Sequence, residues 1–137
     1  MAISIVDPVT HPKKSKGTGK VVLHDSENFH VWLHGPDKPG ERGPMHKHTA
    51  DQIFICVEGE ATYNFPDRES GILKPGMMII IPKDHFYQIE NKGTVNVVLM
   101  GGRAEPYKNP RLTETGEALK IDGSNWSKAG SNIVIPT

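Results

Sequence analysis

Glycine and proline cut this chain into short pieces, and that constrains its fold more than any other feature. The 137 residues include 14 glycines and 11 prolines, which separate brief runs of β-branched and aromatic residues between positions 21 and 100. Short strands with turn signals every 8–12 residues or so mark a β-sandwich or barrel. Residues 21–24 read as a first strand. Residues 29–34 alternate, with Phe29, Val31 and Leu33 on one face and His30, Trp32 and His34 on the other. A polar loop follows over 35–43. Residues 52–57 form a strand, which Glu58-Gly59-Glu60 turns into another over 61–65, closed by Pro66-Asp67. Leu73-Lys74-Pro75-Gly76 is a turn with Pro and Gly at the centre. Residues 77–81 are apolar on both faces, the pattern of a buried strand ended by Pro82-Lys83-Asp84. Residues 86–90 and 94–100 read as a hairpin around Asn91-Lys92-Gly93.

The remainder of the chain is less patterned. No amphipathic helix of three turns is present. A short helix over 112–119, capped by Thr113, is interrupted by Gly116. Residues 132–135 form a strand in this reading, one that can add to a neighbouring subunit's sheet. No internal repeat is detectable. The expected organisation is an N-terminal arm over 1–20, a barrel over 21–104, and a C-terminal extension over 105–137 that packs on the barrel or on a partner subunit.

Charge excludes several classes. Sixteen basic side chains balance sixteen acidic ones, and the pI is about 7.1, so no broad positive field for nucleic acid or an anionic membrane is expected. The basic run at 12–16 reads as a solvated segment. A single cysteine, Cys56, forbids an intrachain disulfide. With no apolar run near the roughly 20 residues of a membrane span and no apolar N-terminal stretch, the expected location is cytoplasmic.

Chemistry concentrates in residues 43–59, GPMHKHTADQIFICVEG. His46 and His48 are two apart, so on extended backbone both imidazoles leave the same face and can reach one metal ion. A histidine pair alone is a weak signal; its surroundings are stronger. Gly40, five residues, His46-Lys47-His48, three residues, Gln52, six residues, Gly59 reproduces the spacing of the first cupin motif, with Gln52 where that motif has Glu. Further on, Gly76, five residues and Pro82 open the second motif, which runs to Asn91; here Asp84 stands for its glycine and Tyr87 for its histidine.

The chain therefore resembles a single-domain cupin over roughly residues 21–104. The resemblance implies an all-β fold, a cupin-type double-stranded β-helix or jelly-roll barrel, with the site inside. It implies a divalent metal (Fe, Mn, Zn or Ni) held by His46, His48 and Gln52, with Tyr87 or His85 completing the set. Small manganese-dependent hydroxynitrile lyases in the family use such a glutamine. Three neutral ligands leave the ion its full charge, which strengthens Lewis acidity and weakens affinity. That suits polarising a carbonyl or binding an enolate-like substrate, and it does not exclude iron or manganese oxygen chemistry. The implied function is a metal-dependent enzyme on a small organic substrate, a dioxygenase, lyase or cyclase. The alternative is a non-catalytic small-ligand- or metal-binding cupin. A homodimer is implied as well.

Parity adds neighbours. With Gln52 inward, Phe54 and Cys56 are inward too, and Cys56 reads as a small core residue. The face of His30, Trp32 and His34 either lines the barrel, which makes His34 a general base or substrate contact, or meets solvent or a partner. Arg103, ending the last strand, can meet a substrate carboxylate. His11 and His24 read as surface residues.

Overall fold

The computed structural model describes residues 3–9, 20–109 and 127–128. In chain order the strands are β1 (Lys20–Asp25), β2 (His30–Asp37), β3 (Glu41–Arg42), β4 (Gln52–Glu58), β5 (Ala61–Asn64), β6 (Gly71–Leu73), β7 (Met78–Ile81), β8 (Gln88–Glu90), β9 (Val97–Arg103) and β10 (Ser127–Lys128). They form two five-stranded sheets, β1-β2-β9-β4-β7 and β10-β3-β8-β5-β6, and every pairing is antiparallel. The fold is all-β, as the punctuated sequence predicts. The basic run at 12–16, His11, the helix at 112–119 and the strand at 132–135 lie outside the described residues.

The inner faces of the two sheets share one core: Trp32, Phe54, Leu99 and Ile81 from the first sheet meet Ala61, Tyr63, Leu73 and Ile89 from the second. Alternation does the sorting. Along β4 the residues Gln52, Phe54 and Cys56 are buried and those between them half-buried, which is the parity expected of a strand with one face inward. The turn before β7 is built as its sequence demands. Met77 N donates to Lys74 O at 2.9 Å, Pro75 and Gly76 sit at the centre, and Gly76 adopts φ 85°, the left-handed conformation that a type II turn requires at that place.

Four sequence expectations are corrected. Residues 86–90 and 94–100 do not pair as a hairpin: β8 belongs to the second sheet and β9 to the first. Likewise, the turn at 58–60 carries the chain from β4 in one sheet to β5 in the other. The loop at 35–43 is partly strand, because β2 runs on to Asp37 and β3 follows. The apolar strand at 77–81 is not buried on both faces. β7 is an edge of its sheet, and Met78 and Ile80 are 53% and 65% exposed. An apolar run reports what a strand can bury, not what covers it.

Candidate functional site

β9 lies between β2 and β4, so their inner faces are stacked in rungs. In register across the three strands stand His30–Arg103–Gln52, then Trp32–Gly101–Phe54, then His34–Leu99–Cys56. The face of His30, Trp32 and His34 therefore lines the interior, and all three are buried. The middle rung needs its glycine. A Cβ at Gly101 would lie 2.3 Å from Trp32 Cζ2, so the indole occupies the space a side chain would take.

Opposite these rungs, His46 and Tyr87 face each other across a bridge, with His46 N donating to Tyr87 O at 3.0 Å and Tyr87 N to His46 O at 2.9 Å. Directly opposed residues put their side chains on the same face, which brings Tyr87 inward beside His46. His48 follows on the same face, its ring centroid 4.9 Å from that of His46. His85 goes elsewhere. Asp84, at φ 66°, takes the left-handed conformation that the glycine of the second cupin motif suits, and the chain turns so that His85 is exposed, its Nδ1 donating to Lys83 O at 3.0 Å.

The buried polar atoms converge on Gln52. Its Oε1 accepts from Arg103 Nε at 3.1 Å and Nη2 at 3.0 Å, and from Tyr87 Oη at 3.3 Å. Two N–H donors from one guanidinium dictate that the oxygen end of the amide, not the NH2 end, faces the site. Tyr87 Oη is also 3.2 Å from His46 Nε2. His46 Nδ1 is 2.9 Å from Pro44 O. A carbonyl can only accept, so Nδ1 carries the ring proton and Nε2 of the neutral imidazole presents its lone pair. Tyr87 thus has one hydroxyl proton for two acceptors, His46 Nε2 and Gln52 Oε1.

The remaining groups shape the field. Arg103 Nη1 reaches His30 Nε2 at 3.4 Å, and His30 Nδ1 donates to Glu105 O at 2.7 Å. Burial holds His30 below its ordinary range; Arg103 and Lys20 push the same way, while the Glu105 carbonyl opposes them. His34 Nε2 is 2.6 Å from Asp37 Oδ2. Burial, with Glu60 nearby, pushes the Cys56 thiol up; its Sγ lies 3.5 Å from Glu58 O and 3.2 Å from Gly59 O, backbone contacts of the kind a core cysteine makes. His24, stacked on Phe29 with centroids 4.6 Å apart, stays out of the site.

A cavity of about 20 Å³ lies among these groups. Lys20, His34, His46, Tyr87 and Arg103 form its polar walls, and Trp32, Phe54 and Ile89 its apolar ones. Of the residues singled out from sequence, the structure brings His46, His48, Gln52, Tyr87, Arg103 and His34 to the interior and leaves His85 outside. Lys20 was missed. A lysine at the border of an N-terminal arm carries no sequence signal, yet it begins β1 and sets its ammonium 4.4 Å from the Trp32 ring centroid.

Comparison with known proteins agrees with this architecture. Residues 37–101 match the family described as cupin domain. That match takes in just under half of the chain, and the two-sheet barrel around it has the cupin fold. The chain is 29% identical over 106 residues to a gentisate 1,2-dioxygenase from Ralstonia sp., a match covering 72% of this chain and 29% of that protein. It is 32% identical over 81 residues to auxin-binding protein T92 from Nicotiana tabacum, covering 53% and 43% respectively. The chain thus spans less than half the length of these two curated relatives. A cupin-like protein from Thermotoga maritima superposes with a TM-score of 0.65 at 22% identity, over 80% of this chain and 87% of that one. A DMSP lyase from Ruegeria pomeroyi superposes with a TM-score of 0.56 at 17% identity, over 69% and 47%. At such identities the structural likeness speaks for the fold alone. No helix among the described residues is long and apolar enough to cross a membrane.

Proposed function

We propose that this chain is a metal-dependent cupin enzyme acting on a small organic substrate, of dioxygenase, lyase or cyclase type. His46, His48 and Gln52 hold the ion in this reading, with Tyr87 as the fourth group. The observation that carries it is the convergence of lone-pair atoms inside the barrel. His46 Nε2, Tyr87 Oη and Gln52 Oε1 follow one another at 3.2 and 3.3 Å. Neighbouring donors around one cation with bonds of about 2.1 Å stand about 3 Å apart, so the donor set fits a metal. A divalent ion bound there supplies a Lewis acid that no carboxylate ligand attenuates.

The chain's own residues do the rest. Arg103 fixes the Gln52 oxygen toward the site. His34, oriented by Asp37 at 2.6 Å, holds or moves a proton at the cavity wall, the role a carboxylate-oriented imidazole suits. Trp32, Phe54 and Ile89 restrict water. Likeness to a gentisate 1,2-dioxygenase supports an enzyme without choosing the reaction.

A second reading, a barrel that binds a small molecule without turnover, is favoured by one feature. Gln52 Oε1 already accepts from both Arg103 and Tyr87. Elemental analysis of protein purified without added metal separates the two. The enzyme reading expects about one iron, manganese, nickel or zinc per chain, lost in His46→Ala and reduced in Gln52→Ala. Wild-type protein that carries no metal and takes up none on titration overturns it. The working unit in this proposal is a homodimer, for which the exposed Met78 and Ile80 on the β7 edge offer apolar surface; light scattering that finds only monomer refutes that part.

A further inference from the structure

We infer that the interior cavity recognises a carboxylate, so that the molecule this barrel takes is a small organic acid. The inference deepens the reading above by naming the class of molecule the same site accepts. Three observations carry it. First, the described lining includes two cationic side chains, Lys20 and Arg103, and no acidic one. Both are buried, at 7% and 4% exposure. Second, the two charges gather on one indole: Lys20 Nζ lies 4.4 Å and Arg103 Cζ 4.7 Å from the Trp32 ring centroid. Trp32 is thereby a shared platform that holds both heads at the cavity wall. Third, Trp32 Nε1 is buried with no hydrogen-bond partner among the described residues, and a buried N–H is costly unless something accepts from it. A carboxylate accepts at both oxygens and donates nothing. It matches two cations and an indole N–H, and charge-assisted hydrogen bonds of this kind are about twice as strong as neutral ones.

Burial is the main cause that holds His30 below its ordinary range, and Arg103 and Lys20 add to it. The space is small, about 20 Å³, enough for a water or one end of a small molecule. The carboxylate end enters on the Lys20–Arg103 side, and the rest of the molecule lies toward His46 and Tyr87, which border the same cavity.

Calorimetric titration at fixed ionic strength tests this. Acetate and pyruvate are compared with acetamide and pyruvamide, neutral partners of the same shape, on protein stripped by a chelator and on protein loaded with metal. The expected result is that each acid binds the stripped protein at least about tenfold more tightly than its amide. Lys20→Gln should weaken pyruvate by about tenfold, while Lys20→Arg, which keeps the charge, should retain it. The wild-type acid–amide comparison stands even where a variant fails to fold. Equal binding of acid and amide, no binding of either, or an acid preference seen only in loaded protein overturns the inference, because in the last case the carboxylate goes to the metal. A protein that takes up no metal but still prefers the acid refutes the metal reading and leaves this one standing.

Discussion

Gly101→Ala tests whether the rungs of the barrel are packed as described. The new methyl carbon would lie 2.3, 2.4 and 2.8 Å from Cζ2, Cε2 and Cη2 of Trp32, all well inside the distance at which carbon atoms meet. A flexible side chain would swing away. The indole is rigid, 1% exposed, stacked on His30 at 4.8 Å and met edge-on by Phe54 at 5.5 Å. Overpacking a dense core costs about 1–3 kcal/mol, and with three contacts this short the upper part of that range applies, about 2–3 kcal/mol. For a domain of this size that lowers the melting midpoint by about 8–15 °C. The neighbouring residue is the control: a Cβ at Gly102 meets nothing closer than Ile53 Cγ1 at 3.7 Å, an ordinary contact, so Gly102→Ala should change stability by less than about 0.5 kcal/mol. Urea unfolding followed by far-UV circular dichroism avoids a signal from Trp32 itself. In a Trp32→Phe background the six-membered ring of the indole is gone, and Gly101→Ala should cost less than about 1 kcal/mol, giving a positive coupling in the double-mutant cycle. A Gly101→Ala loss equal to that of Gly102→Ala would refute the packing.

Two further outcomes follow from the site's surroundings. Asp84 holds φ 66°, so Asp84→Gly should be neutral or stabilising by up to about 1 kcal/mol despite losing the half-exposed contact with Lys47 at 3.5 Å, while Asp84→Val should destabilise by more than about 1 kcal/mol; thermal melts of both variants that ranked them the other way would count against the strained turn. Burial holds the His30 pKa below 6.5 in the fold, so between that lowered value and 6.5 the unfolded chain binds the proton and the folded one does not. Stability should then fall as pH drops through the region below 6.5, and His30→Gln should flatten that part of a urea-midpoint profile; an unchanged slope would show that His30 is not held neutral.

The sequence was a good guide wherever a local rule decided the outcome. Pro75-Gly76 could hardly build anything but the observed turn, and the parity of Gln52, Phe54 and Cys56 followed once one of them faced inward. His46 and His48 share a face because they are two apart. What stayed hidden was set by partners distant in the chain. Whether β2 turned His30, Trp32 and His34 inward depended on its place between β1 and β9, which no alternation pattern states. The turns at 58–60 and 91–93 look like hairpin turns because the flanking strands are short and adjacent; only the closure of two sheets shows that each crosses between them. Tyr87 rather than His85 faces inward because residue 87 is bridged to His46 while Asp84 bends the chain away beforehand. Lys20, which no sequence signal marked, reaches the same indole as Arg103 from the opposite end of the barrel sequence.

The rung His30–Arg103–Gln52 has a consequence for reading and re-engineering related barrels. Gln52 offers Arg103 an oxygen without a charge, and so the guanidinium keeps its full electrostatic reach into the chamber. Glutamate, differing by one atom, would close an internal salt with Arg103 and cancel it. Positions 52 and 103 therefore set the chamber's charge together with Lys20: glutamine with arginine leaves two uncompensated cations in the described lining, glutamate with arginine would leave one, and glutamate without arginine would leave none. Exchanging either residue alone should therefore change the charge that an entering molecule meets.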